Sequence, residues 1–212
     1  TQRVYKIATV AEWILPQTEV LKKNVELVKF GINTNAFKCD INDSLKVIGY
    51  GGAFHTREET EQYKLNFPAE PKVKKRGYLA QEVAVELTLN FKSAHPHYQS
   101  FVSMPGFYNS VDVIICSSSD EGAGGPVLEG GAAGKLIITT KTGGFEQLVT
   151  NIGADTVPVE ENEFKEEAKR ILSYYKNNPS KYISRRKEIQ NYAQKTYDLS
   201  NFVHTWANLI NY

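Results

Sequence analysis

Sulfur is scarce in this chain: 212 residues hold two cysteines, Cys39 and Cys116, and one methionine. Two thiols cannot form the disulfide framework of a small secreted domain, and their scarcity fits a reducing compartment. An excess of one charge is also lacking. Lys and Arg number 25 against 24 Asp and Glu, a net charge of +1, which excludes a general attraction to nucleic acid or anionic lipid. No apolar run is long enough for a membrane-spanning helix, and the opening residues do not read as a signal peptide. Thr1 stands where a complete chain has methionine, which suggests a processed chain or a piece of a longer one. Global disorder is excluded, because 41% of residues are hydrophobic and 23% charged, enough to bury the core of one large domain or two small ones. Internal repeats, a Walker motif, a nucleophile elbow and paired CxxC motifs are absent.

What is present alternates strand with helix. Residues 3–10 and 25–32 read as strands, with a helix over 11–23 in which Pro16 is a weak point. LKVIGYGG, residues 45–52, reads as a strand ending in two glycines. The charged stretch 55–75 has Pro68, Pro71 and no apolar period, and reads as an irregular surface insertion. The next segment predicts a helix that gives way to a strand near 85–91. YQSFVS, 98–103, reads as a short strand and MPGFYNS, 104–110, as a short helix or turn. VDVIICSS and KLIITT are continuous apolar runs, expected as buried parallel strands with Cys116 a core thiol. ADTVPVEE supplies a last short strand, and two or three helices follow from residue 161. This alternation predicts an α/β fold with a mainly parallel sheet, whose ligands bind at the carboxyl ends of the strands.

Residues 117–149 carry the chemistry. A buried strand ends at Cys116, and Glu121 follows within a few residues. The small residues 122–125 let backbone approach a ligand closely, and Pro126 suits the first turn of a helix. The N-terminus of that helix offers free N–H groups and a positive dipole end to an anion, phosphate foremost. Seven residues separate Glu121 from Glu129. With a tight turn between them, both carboxylates face one cleft, one before the phosphate site and one beyond it. Glycine-rich junctions of this kind occur in many α/β proteins, and glutamates are commonly solvated. The whole string is what discriminates.

That string, with Ser117 or Ser118, Glu121, Gly122, Gly124, Pro126, Val127, Leu128, Glu129, Ala132, Gly134, Ile137, Thr139, Gly143, Gly144, Glu146 and Val149, resembles the E-x7-E region of retaining glycosyltransferases of the GT-B fold, family 4. VELVKFGINTNAF, IGYGGAF, KKRGYLAQEVA and the closing RRKEIQNYAQKTYDLSNFVHTWANLI resemble other parts of the same family. The resemblance implies a Rossmann-like parallel sheet flanked by helices, the C-terminal, donor-binding half of such an enzyme. Residues 1–30 would then be the end of an N-terminal domain and the connection, 31–196 the nucleotide-sugar-binding domain, and 197–212 the closing helix.

By the same resemblance, Glu121 would face the transferred sugar and its developing charge, with Arg76 and Lys75 neutralising the leaving phosphates. Glu129 would accept from the ribose hydroxyls. Gly124, Gly125 and Val127 would offer backbone N–H groups, and Gly52, Gly143 and Gly144 would shape the donor site. Base recognition is expected near residues 100–105. Ala53 stands where the family has an arginine, with Arg57 or His55 as candidate replacements. The resemblance implies a hexosyltransferase-type, metal-independent retaining enzyme with a nucleotide-sugar substrate and no cofactor. Its carbohydrate, lipid-linked or protein acceptor would sit on a missing domain or a partner chain. A degenerate nucleotide-sugar-binding module is the alternative, favoured by the loss at Ala53. The E-G-x-G-x-P-V-L-E string argues against a related epimerase. The expected place is the cytoplasm, peripheral to a membrane if Lys169, Arg170, Lys181, Arg185, Arg186 and Lys187 form a basic surface rather than a solvated helix face. His95 and His97 do not read as a metal site. Glu146 reads as a helix start, and Trp13, Trp206, His204 and the tyrosines of the tail as packing residues.

Overall fold

The computed structural model describes residues 7–9, 25–27, 31–66, 74–95, 100, 102–122, 124–143, 152 and 154–210. Strands β1 (Ile7–Thr9) and β2 (Val25–Leu27) pair in parallel. After the short helix α1 (Thr34–Phe37) comes β3 (Val47–Tyr50), then helices α2 (Arg57–Asn66) and α3 (Gly77–Glu86), and strand β4 (Asn90–Ser93). Helix α4 (Met104–Asn109) leads into β5 (Val113–Cys116), α5 (Gly125–Ala132), β6 (Leu136–Thr140) and β7 (Asp155–Val157). Helices α6 (Glu161–Asn177), α7 (Pro179–Tyr197) and α8 (Val203–Ile210) close the chain.

Strands β3 to β7 form one parallel sheet in the order β4-β3-β5-β6-β7. All four residues of β5 and all five of β6 are buried, as a sheet covered on both faces requires. Alternate side chains divide between two cores. Ile114, Cys116 and Ile137 pack with Val127, Leu128, Ile189 and Ala193 of α5 and α7. Val113, Ile115, Leu136 and Ile138 pack with Leu79 and Val83 of α3 and Phe164 and Leu172 of α6. The chain leaves β3 for β4 on one side, then returns to lay β5 on the other. The crevice between the exits of β3 and β5 is therefore the topological switch point.

Several expectations are corrected. The insertion is not irregular throughout, because α2 occupies Arg57–Asn66. Thr56 and Glu59 start it with a capping box: the Thr56 N–H donates to Glu59 at 2.8 Å, and the Glu59 N–H to the Thr56 hydroxyl at 3.2 Å. Its remainder, 67–73, lies outside the described residues. Helix α3 runs to Glu86 with Val85 exposed, and the strand waits until Asn90. Val102 and Ser103 lie in a turn, the Ser103 N–H donating to Ser100, rather than in a strand. Arg186 is not on a solvated face. It is wholly buried, donating to the carbonyls of Gly134 at 2.6 Å and Asn42 at 2.9 Å. His204 is exposed. Of the tail tyrosines, 175, 182 and 197 are buried, whereas Tyr174 is exposed. Trp13, Pro96, His97, Gly144, Glu146 and Val149 lie outside the described residues.

Candidate functional site

Gly51 leaves β3 against the entry of α5. A Cβ at Gly51 would stand 2.9 Å from the Pro126 ring and 2.9 Å from the Tyr108 hydroxyl. That closeness brings the glycine-rich turn to the switch point. Gly124 enters α5 at φ +71°, and Pro126 fills the first turn. Among the described residues, the amides of Gly124 and Gly125 have no hydrogen-bond partner, and space around a Gly125 Cβ is open for 4 Å. Two N–H groups without a partner among the described residues, at a helix start, suit an anion. The Val127 N–H is spent on the Gly124 carbonyl at 3.0 Å, so the anticipated third donor is internal.

Glu121 accepts from Lys75 Nζ at 2.6 Å and from the Ser118 hydroxyl at 3.2 Å, and its other oxygen takes the Gly122 N–H at 3.1 Å. The 141–143 loop lies directly on its main chain. A Cβ at Gly143, where φ is +49°, would run into the Glu121 carbonyl oxygen. Only glycine fits there. Glu129, one turn into α5, accepts from the Tyr108 hydroxyl at 2.8 Å. Burial pushes the Glu129 carboxyl above the usual carboxylate range, and the Tyr108 bond to its ionised form opposes that rise.

The basic residues divide differently from expectation. Arg76 is 7% exposed, with its Nε donating to the Ser117 carbonyl at 2.8 Å and Nη1 to the Val159 carbonyl at 2.6 Å. Its guanidinium thus ties the exit of β5 to the approach of α6. Lys75 is the cation on Glu121. Tyr50 and Ser117 hold its backbone, the Tyr50 hydroxyl donating to the Lys75 carbonyl at 2.9 Å and Ser117 Oγ lying 3.2 Å from the same carbonyl and 2.7 Å from that of Arg76. Arg57, a candidate substitute for the arginine lost at Ala53, is held elsewhere. It pairs with Glu82 through Nε at 2.6 Å and Nη2 at 3.0 Å, and with Glu161 at 3.0 Å. Its guanidinium lies 4.3 Å from the Tyr78 ring centre. His55 lines a separate pocket with Glu59. Gly52 is half-buried beside the Tyr50 ring. Ser118 belongs to the string read from the sequence, whereas Tyr108 and Tyr50 carry no such signal, since nothing local marks an apolar helix tyrosine as the partner of a glutamate in another helix.

Residues 74–196, more than half of the chain, match the sequence model of the family described as glycosyl transferases group 1. The chain belongs to that family. Every residue of the Glu121–Glu129 turn lies inside the matched span. Solved structures share the fold of this group 1 glycosyltransferase chain at low identity. Anabaena HepE in complex with UDP-glucose is 13% identical, with a TM-score of 0.68 over 99% of this chain and 64% of that one. Sucrose-phosphate synthase from Thermosynechococcus elongatus is 15% identical, with a TM-score of 0.69 over 99% of this chain and 58% of that one. The C-terminal domain of a glycosyl transferase group 1 family protein (LpcC) from Francisella tularensis is 17% identical, with a TM-score of 0.55, and is covered in full by 80% of this chain. The fold is that of the C-terminal half of a GT-B glycosyltransferase. The chain spans less than two thirds of HepE and of the synthase. None of the curated protein sequences compared with it matches. No helix among the described residues is long and apolar enough to cross a membrane.

Proposed function

We propose that this chain is the donor-binding part of a hexosyltransferase that moves a sugar from a nucleotide-sugar to an acceptor with retention of configuration. The observation that carries this reading is the arrangement at the switch point. Glu121 precedes and Glu129 follows the open entry of α5, one carboxylate held by Lys75 and the other by Tyr108. UDP-glucose bound to HepE, a chain of the same fold, supports a nucleotide-sugar as the ligand.

In this reading the diphosphate lies at the amides of Gly124 and Gly125, and Lys75 leaves Glu121 to pair with it. The helix N-terminus and Lys75 supply the positive charge, and the reading calls for no metal. Glu129 accepts from the ribose hydroxyls. The bond between the sugar's anomeric carbon and the phosphate oxygen breaks through an oxocarbenium-like state. The freed Glu121 carboxylate faces that developing charge. The acceptor oxygen bonds to the same face of the sugar, its proton passes to the departing phosphate oxygen, and the nucleoside diphosphate leaves. The acceptor's main platform is another domain or chain, in the cytoplasm or at a membrane surface.

A second reading, a nucleotide-sugar-binding module without turnover, is favoured by Ala53 and by the engagement of Arg57 with Glu82 and Glu161. Melting temperature with UDP, GDP and ADP sugars tests the site, because a ligand that binds only the folded state raises it. A rise with one nucleotide class, abolished by Glu129→Ala, is expected. Release of free sugar from that donor separates the transferase from the binding module. No rise with any nucleotide, in this chain and in a parent chain carrying both domains, would sink the donor-site reading.

A further inference from the structure

The insertion between β3 and α3 builds a second cavity. It lies between α2 and the carboxyl ends of β3 and β4 and measures about 700 Å³, well inside the range of about 300–1,000 Å³ typical of small-molecule sites. Phe54, His55 and Tyr63 give it an aromatic lining. These rings are set by aromatic contacts: His55 edge-on to Tyr63 at 5.5 Å, and Phe54 tilted against Phe91 at 5.2 Å and edge-on to Tyr50 at 6.3 Å. Gln62, Asn66 and Ser93 add neutral polar groups. The Gln62 amide makes no hydrogen bond among the described residues, and Asn66 spends its NH₂ on the Gln62 carbonyl at 3.0 Å, leaving its oxygen to a ligand. Among the described residues, Glu59 is the one carboxylate in the lining and no Lys or Arg lines it, a lining that suits a neutral ligand better than a phosphate. Ring faces beside amides, hydroxyls and a lone carboxylate match a neutral saccharide. Its C–H face lies on an aromatic ring while its hydroxyls pair with the polar groups.

We propose that this pocket binds a neutral saccharide unit, so that the insertion gives the donor domain an acceptor-sugar subsite of its own. Phe54 follows closely on Gly51, whose backbone abuts the entry of α5, and the two sites thus share the carboxyl edge of the sheet. The role as acceptor rests on the glycosyltransferase reading, whereas the binding itself does not.

The test is NMR on the whole chain, following the imidazole resonances of His55 and His95 and the ring of Tyr63. Methyl glycosides of glucose, galactose, mannose and N-acetylglucosamine are added to about 50 mM, well above the roughly millimolar Kd of a single-sugar site. At least one glycoside is expected to shift these resonances saturably. Gln62→Ala and Asn66→Ala, both exposed positions of α2, are expected to weaken that binding about tenfold or more while leaving the nucleotide-induced rise in melting temperature intact. Three results overturn the proposal: no glycoside moves the rings, binding survives both substitutions, or nucleotides rather than sugars saturate the pocket. Glycoside binding without any nucleotide effect, in this chain and in a parent chain carrying both domains, would instead leave the pocket standing and remove the donor reading.

Discussion

Lys75 and Arg76 are adjacent in sequence and face opposite surroundings. Lys75 reaches Glu121 in the cleft, whereas Arg76 is buried on two main-chain carbonyls. Lys75→Ala is expected to lower sugar release or transfer about 100-fold, the usual effect of losing one preorganised charge at a leaving group, with little change in melting temperature. Arg76→Ala is expected to cost about 2 kcal/mol of stability, because it strands buried carbonyls, and urea unfolding of the two variants side by side checks the division of labour. Glu129 gives a pH prediction. In the donor-site reading its ionised form accepts from the ribose, and burial raises its pKa, so nucleotide affinity is expected to fall as pH drops through a value above the ordinary glutamate range. In Tyr108→Phe the opposing hydrogen bond is gone, so the midpoint moves further up; in Glu129→Gln the acid limb disappears. Calorimetric Kd values across pH measure this, and a midpoint that stays put or falls in Tyr108→Phe contradicts it.

At the scale of elements, the site depends on how closely β3 and α5 approach. Gly51→Ala places a methyl against the Pro126 ring and the Tyr108 hydroxyl at 2.9 Å each. The α5 entry must shift, and nucleotide affinity is expected to fall about tenfold, or roughly 1.4 kcal/mol, more than global stability falls. Helix α2 is fastened to α3 and α6 through Arg57, Glu82 and Glu161. These side chains are partly exposed, so Arg57→Ala is expected to cost only about 1 kcal/mol, read as a lower unfolding midpoint. The capping box that starts α2 is written in the sequence as T-x-x-E at Thr56 and Glu59. The charged stretch with its two prolines obscured it, because the helix has no apolar stripe to reveal its period. The end of α3 was misplaced for the opposite reason. Val83, Val85 and Leu87 mimic the alternation of a strand, yet Val83 is buried in the core and Val85 is exposed on a helix.

Across the molecule, Arg186 joins segments distant in sequence. From α7 it holds Gly134 after α5 and Asn42 before β3 and lies 4.9 Å from the Tyr182 ring centre, wholly buried. Arg186→Ala opens a cavity and leaves both carbonyls unpaired, at a cost of about 3 kcal/mol. Loss of the folded fraction in urea checks this. The basic cluster of the tail is thereby reduced as a surface, since one of its members is a core residue.

Composition and pattern alone determined the α/β class, the buried parallel strands β5 and β6, the glycine-rich entry into α5 and the Glu121–Glu129 pair. Those features are local: continuous apolar runs bury both faces of a strand, and residues close in sequence stay close in space. Tertiary structure alone decided which cation faces Glu121, which hydroxyl holds Glu129, where Arg57 and Arg186 are engaged, and that the insertion closes a pocket. Each of those pairings spans tens of residues. The backbone paths that bring the partners together are set by the packing of helices on the sheet, and no spacing in the chain encodes that distance.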